Sequence, residues 1–227
     1  MTRRIRMRWP DARPFEGRAG RPIRILAASD EPDPALEFAP NRVALGPIDA
    51  VVGCGDLEPH WLDFLAHSFS APLVFVSGNH DRGTTWEAGR EGLPTPLASG
   101  SVTRLAGLSV AALSWPGSGE KGNVRDEGRA WRQALTLARG RLVAWLRGRR
   151  GPLLVVSHAP PAGAGDAPDA YHLGFRAYRW LLDRFRPPLW LHGHVTTASV
   201  PDLEVRVGGT TLVNVTGSVL VELEPPE

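Results

Sequence analysis

Five short segments of this chain, in order, each end an apolar run with side chains suited to holding a divalent cation. They are Ser29-Asp30, Gly55-Asp56, Gly78-Asn79-His80-Asp81, Ser157-His158 and His192-Gly193-His194. Strand-like stretches precede four of them, at 23–28, 48–53, 73–76 and 153–156, and a shorter one at 189–191 precedes the fifth. Parallel strands collect distant residues at their carboxyl ends, so the repeated placement predicts one shared site.

The 227 residues, 42% of them hydrophobic, are enough to bury a sizeable core. Residues 1–22, rich in Arg, Pro and Gly, read as a basic, flexible extension, with 23–227 as a single domain. No apolar span is long enough to cross a membrane, and the basic start lacks the apolar segment of a secretory signal. Cys54 is the only cysteine, so no intrachain disulfide forms, and the expected location is cytoplasmic. Between Gly53 and Gly55 it reads as a small buried hydrophobe. Lys and Arg total 26 against 24 acidic residues, with Lys121 the sole lysine; so even a balance does not predict nucleic-acid binding.

Strands alternate with helical segments from Ile23 on, the pattern of a largely parallel sheet covered on both faces. Helices are expected over 59–69, 127–147 and 174–186. In the second, Trp131, Leu135, Ala138, Leu142, Trp145 and Leu146 fall on one stripe, and Arg129, Arg132, Arg139, Arg141 and Arg147 read as solvated. Hairpins are expected where 101–105 meets 108–114 across Ala106-Gly107, and where 203–207 meets 210–215 across Gly208-Gly209, continued by 218–223.

The ordered motifs resemble those of the calcineurin-like metallophosphoesterases, and the resemblance spans 23–223. That family's motifs run Asp-x-His, Gly-Asp, Gly-Asn-His-Asp/Glu, a lone His and Gly-His-x-His. The Asp30-Glu31 start and the Ser157-His158-Ala159-Pro160-Pro161 segment are similar to a bacterial branch of it. The resemblance implies a four-layered α/β/β/α sandwich with mixed sheets and one or two divalent ions (Mn, Fe, Zn or Mg). It further implies hydrolysis of a small phosphorylated substrate, diester or monoester, by metal-bound hydroxide. Asp30, Asp56, Asn79, His158 and His194 are the implied metal ligands, with Asp56 bridging. His80 is the implied proton donor to the leaving group, with Asp81 placed to fix its tautomer. His192 is the alternative to His194.

Two positions depart from the family pattern. Pro32 stands where the first motif has its histidine, and Thr196 replaces the last histidine of Gly-His-x-His. Both missing imidazoles belong to the same metal, so the first site keeps only Asp30 and Asp56. Three outcomes are open: Glu31 or Asp33 rebuilds that site with oxygen, one ion binds tightly and the other loosely, or the first site is empty and turnover is weak. A catalytically silent binding module is the alternative function, and a nuclease a third. The loop 160–174, carrying Asp166, Asp169 and His172, and the segment 115–119 are further candidates for lining the pocket. The sequence is silent on oligomeric state.

Overall fold

Inner strands that are apolar on both faces require cover on both faces. The computed structural model, which describes residues 2–118, 124–200 and 202–227, supplies it. In chain order the strands are β1 (Arg3–Arg8), β2 (Ile23–Ser29), β3 (Ala50–Gly53), β4 (Leu73–Phe75), β5 (Val102–Leu105), β6 (Leu108–Leu113), β7 (Gly117–Ser118), β8 (Val124–Arg125), β9 (Leu153–Ser157), β10 (Leu189–His192), β11 (Glu204–Val207), β12 (Thr210–Asn214) and β13 (Gly217–Glu224). The helices are α1 (Ala39–Leu45), α2 (Pro59–Phe69), α3 (Thr84–Gly89), α4 (Glu127–Leu146) and α5 (Arg176–Phe185). Gly119, at the end of the 115–119 segment, lies outside the described residues.

One sheet runs β1-β13-β2-β3-β4 and the other β11-β12-β10-β9-β6-β5. Within them β2, β3 and β4 are parallel, as are β12, β10, β9 and β6. Within each sheet the strands that carry the candidate residues therefore end on the same side. Ile25, Ala27 and Val52 of the first sheet pack with Val110, Val156 and Leu191 of the second in one dry core. Trp61, Leu62 and Leu65 of α2 cover the outer face of the first sheet, and Ala134, Leu137, Tyr178 and Leu182 of α4 and α5 cover the second. The layers are α, β, β, α, as the resemblance implies. Both expected hairpins form, and Ala106 and Gly107 take the two left-handed conformations (φ 47° and 82°) that a tight two-residue turn needs.

Three features differ from the sequence reading. The strand after the second hairpin, β13, does not continue it; it crosses to the first sheet, between β1 and β2. The expected flexible extension is instead partly built in. β1 pairs in parallel with β13, alternating Ile5 and Met7 inward with Arg4, Arg6 and Arg8 outward, and Trp9 behind it is 1% exposed. The arginines that read as a charged tail are the solvent face of an edge strand, which charge keeps from pairing further. Finally, α4 turns a different side inward: Ala130, Ala134 and Leu137 are buried, while Leu135, Leu142, Trp145 and Leu146 are exposed.

Trp9→Ala is therefore expected to lower the unfolding free energy by about 3–5 kcal/mol, read as a drop in urea midpoint at unchanged slope. A change under about 1 kcal/mol, the size of an ordinary surface substitution, would show the N-terminal segment to be energetically separate.

Candidate metal centre at the strand ends

Each candidate ligand stands one to a few residues past the end of a parallel strand. β2 delivers Asp30, β3 delivers Asp56, β4 delivers Asn79 and His80, β9 delivers His158 and β10 delivers His194. At three of these points the chain makes a turn unusual for a side-chain-bearing residue: Asp30, Asp56 and His194 have φ of 61°, 54° and 67°. Asp and His tolerate the left-handed region better than most residues, at a cost on the order of 1–2 kcal/mol each. Such strain persists only where the surroundings hold it in place.

Hydrogen bonds do the holding. His158 donates from Nδ1 to the Cys54 carbonyl at 2.8 Å, which turns Nε2 toward Asp56 Oδ2 at 3.3 Å and Asn79 Oδ1 at 2.8 Å. Asp56 Oδ1 accepts the His80 backbone N–H at 2.7 Å. The His194 backbone N–H donates to Asp30 Oδ2 at 2.9 Å, and the Thr216 hydroxyl donates to the same oxygen at 3.2 Å. Ring centroids of His158 and His194 lie 5.0 Å apart, with the Trp115 ring tilted against His194 at 4.7 Å.

Other expectations are corrected here. Asp81 does not reach the His80 ring; its Oδ2 accepts the backbone N–H groups of Asp56 at 2.9 Å and Gly78 at 2.8 Å, tying two ligand loops together. Burial, with the neighbouring Asp56 charge, raises its pKa to about 6 despite those bonds. Asp33 is spent elsewhere: it caps the turn at Ala35 and accepts from the Thr2 and Ser218 hydroxyls. Glu31 and Pro32 are exposed, and Thr196 is exposed with its hydroxyl on Ser199. Among the described residues neither Glu31 nor Asp33 joins the donor cluster. His192 is buried with its Nε2 toward Gly165, away from that cluster, and burial pushes its pKa down to about 4.

Two participants escaped the sequence reading. Thr216 follows β12, which carries no acid or imidazole to flag it. Tyr171, on the loop between β9 and α5, places its hydroxyl 2.8 Å from Asn79 Nδ2 and 3.2 Å from His80 Nε2. Its carbonyl accepts from His194 Nε2 at 2.9 Å. That bond fixes the His194 tautomer and leaves Nδ1 with its lone pair. The turn is held by Asp169, which accepts the Tyr171 and His172 backbone N–H groups. The loop's Asp166 accepts the Gly174 N–H. A tyrosine among Gly, Pro and Ala was the only signal.

The donor set fits a divalent cation. Ligand atoms of Asp30, Asp56 and His158 lie within 4.8 Å of one another, with the Asn79 amide oxygen on the same imidazole nitrogen. Oxygen and imidazole donors together suit Mn, Fe or Zn. Burial opposes a charged His158, but the Asp56 carboxylate and its hydrogen bond outweigh it, raising the imidazole to about 9. Burial likewise opposes a charged Asp56, and His158 holds that carboxyl below its ordinary range. The cluster thus draws positive charge to its centre. His194, by contrast, is pushed down to about 3 by burial and by His158, so its ring is neutral; it stands beside the group formed by Asp30, Asp56 and His158 rather than within it.

Glycine makes this convergence sterically possible. A Cβ on Gly193 would collide with Ser29 Oγ and Asp30 Oδ2, and one on Gly78 with the Asp56 carboxylate. Gly193→Ala is expected to destabilise by about 1–3 kcal/mol and to displace Asp30. Calorimetric metal titration alongside thermal unfolding reads both, and unchanged values would show the loop yields freely.

The calcineurin-like phosphoesterase family model matches residues 43–197. No curated protein matches the sequence. One solved structure superposes with a TM-score of 0.61 at 15% identity, covering 88% of this chain and 95% of its own. The protein TT1561 of Thermus thermophilus superposes with a TM-score of 0.57 at 18% identity, over 86% of this chain and 90% of that one. At such identities the likeness speaks for the fold alone. The family match extends over more than half of the chain and takes in four of the five strand-end segments, so the chain belongs to the calcineurin-like phosphoesterase family.

Proposed function

We propose that this phosphoesterase hydrolyses a small phosphorylated substrate with one firmly held divalent cation, bound by Asp56, Asn79, His158 and His194. We assign a thinner second position to Asp30 and Asp56, with Asp30 in the same close group of donor atoms as His158. One observation carries the reading: Asp56 and Asn79 turn acceptor oxygens onto His158 Nε2, around a buried point that favours positive charge.

A bound divalent ion lowers the pKa of water and offsets charge growing on phosphoryl oxygens. The chain's own residues do the rest. Asp56 fixes the position of His80 through the backbone N–H, leaving an exposed imidazole at the mouth of the site. From there His80 protonates the departing ester oxygen, the ordinary task of a general acid. Tyr171 orients the Asn79 amide so that its oxygen faces His158 and its nitrogen faces outward. A binding module has no need of an imidazole held at that mouth, which favours the enzymatic reading over a silent one. With Asp33 engaged in a cap and Pro32 and Thr196 turned to solvent, the first position has few donors, which supports slower turnover than a fully furnished pair gives.

Two measurements test this. Asp56→Ala is expected to cut Mn²⁺-dependent hydrolysis of a chromogenic phosphodiester or monoester by at least about a hundredfold, with the circular dichroism unchanged. Absence of turnover with any of several divalent ions in the parent chain would sink the hydrolase reading. Second, protein purified without chelator should carry about one tightly held ion per chain, since only one position has imidazole donors. Two tight equivalents by elemental analysis would overturn the asymmetry, and no micromolar site by calorimetry would leave a binding module.

A further inference from the structure

The outward stripe of α4 is the largest departure from the expected burial, and it lies away from the metal centre. Leu135, Leu142, Trp145 and Leu146 are 55%, 57%, 51% and 69% exposed. With Trp131 and Ala138 they repeat at three- and four-residue steps, the spacing by which one helix packs along another. Trp180 and Phe185 of α5 form a second wall, enclosing a groove of about 630 Å³. A two-walled apolar groove with helical spacing is the form that accepts an amphipathic helix.

Charge chooses the occupant. No Asp or Glu occurs between Glu127 and Asp166, while Arg139, Arg141 and Arg184 line the groove. Among the described residues these three face no carboxylate within ion-pair distance. Arg141 is half-buried with its guanidinium held on the Gly151 carbonyl, which leaves Arg139 and Arg184 as the cations open to an occupant. Arg184 lies over Phe185 and Arg150 over Trp145, so cationic groups edge the apolar floor. A second copy would bring arginines against arginines, which like-charge repulsion disfavours. A flat bilayer surface would leave the hollow between α4 and α5 unfilled.

We propose that the α4–α5 groove is a docking site for an acidic amphipathic helix of a partner protein, whose apolar side chains fill the groove and whose carboxylates meet Arg139 and Arg184. The docked helix lies against the outer layer, so the metal centre stays open.

The test uses the full chain and a dye-labelled synthetic helix of about four turns, with leucine at the packing positions and glutamate on both flanks. Fluorescence anisotropy should show saturable binding that Leu142→Glu and Arg139→Glu each weaken at least about tenfold, and that added salt weakens. Both positions are exposed, so the variants should unfold at the parent temperature and keep the parent hydrolysis rate. Absence of saturable binding overturns the proposal, as does equal affinity for the same peptide with lysine flanks. So does light scattering that shows a dimer which Leu142→Glu dissociates, since the groove then belongs to a second copy. Co-sedimentation with anionic phospholipid vesicles that depends on Leu142 would reassign the face to a membrane.

Discussion

The two sheets meet at their carboxyl ends through a few polar contacts set against an otherwise apolar seam. His158 leaves the second sheet and donates to the Cys54 carbonyl of the first, while its other nitrogen faces Asp56 from the same strand end. His194, also from the second sheet, donates its backbone N–H to Asp30 of the first. Among residues buried this deeply, an unpaired imidazole or carboxylate costs several kcal/mol, so neither sheet can shift relative to the other without exposing that cost. The site is thus a structural joint as well as a set of donors. The same contacts that gather the candidate ligands tie the two layers beneath them together.

Because the joint crosses between sheets, its loops must approach closely, and this sets the backbone. Gly55 has φ 91°, and a Cβ there would stand 2.6 Å from His158 Nδ1 and 2.7 Å from the Gly78 nitrogen. Only glycine gives both the conformation and the room. Asp30, Asp56 and His194 take the same left-handed turn with side chains attached, because turning there redirects each one off its strand and into the common space. Asp81 completes the arrangement by bonding two of those loops from beneath. A carboxylate that a sequence motif suggests for proton chemistry is here used to hold backbone.

How much of this could be read in advance follows from what kind of signal each residue carries. The placement of Asp30, Asp56, Asn79, His80, His158 and His194 at neighbouring strand ends was legible because strand-like runs announce where the sheet ends, and polar side chains follow at once. The hairpins were legible because Ala106-Gly107 and Gly208-Gly209 are turn chemistry. The strand at Arg3–Arg8 was not, since the alternation of Ile5 and Met7 with arginines is hidden by the charge. The inner face of α4 was misleading for a related reason. Its buried side is made of Ala130, Ala134 and Leu137, small residues for the most part that let the helix sit close to the sheet, while the larger side chains face out. A hydrophobic stripe tells that a helix has a partner, not which one.

Tyr171 was invisible because its role depends on loop shape. The base of its loop is a short ladder in which Phe175 donates to the Pro160 carbonyl and Ala162 to that of Phe175, with Gly174 packed too close to Pro161 for any side chain. The tip is turned by Asp169, which also pairs with His172. Base and tip are shaped by the loop's own bonds, while Tyr171 itself is also tied to Asn79, His80 and His194. This separates two tasks that the same pocket must perform. The strand ends decide which chemistry is available, through donors that packing cannot vary. The loop brings a half-exposed phenol against those ends, held by Asp169 within the loop and by Asn79, His80 and His194 from the strand ends. The loop's internal bonds are separate from the contacts that join the two sheets, so the loop and the joint are held by different parts of the chain.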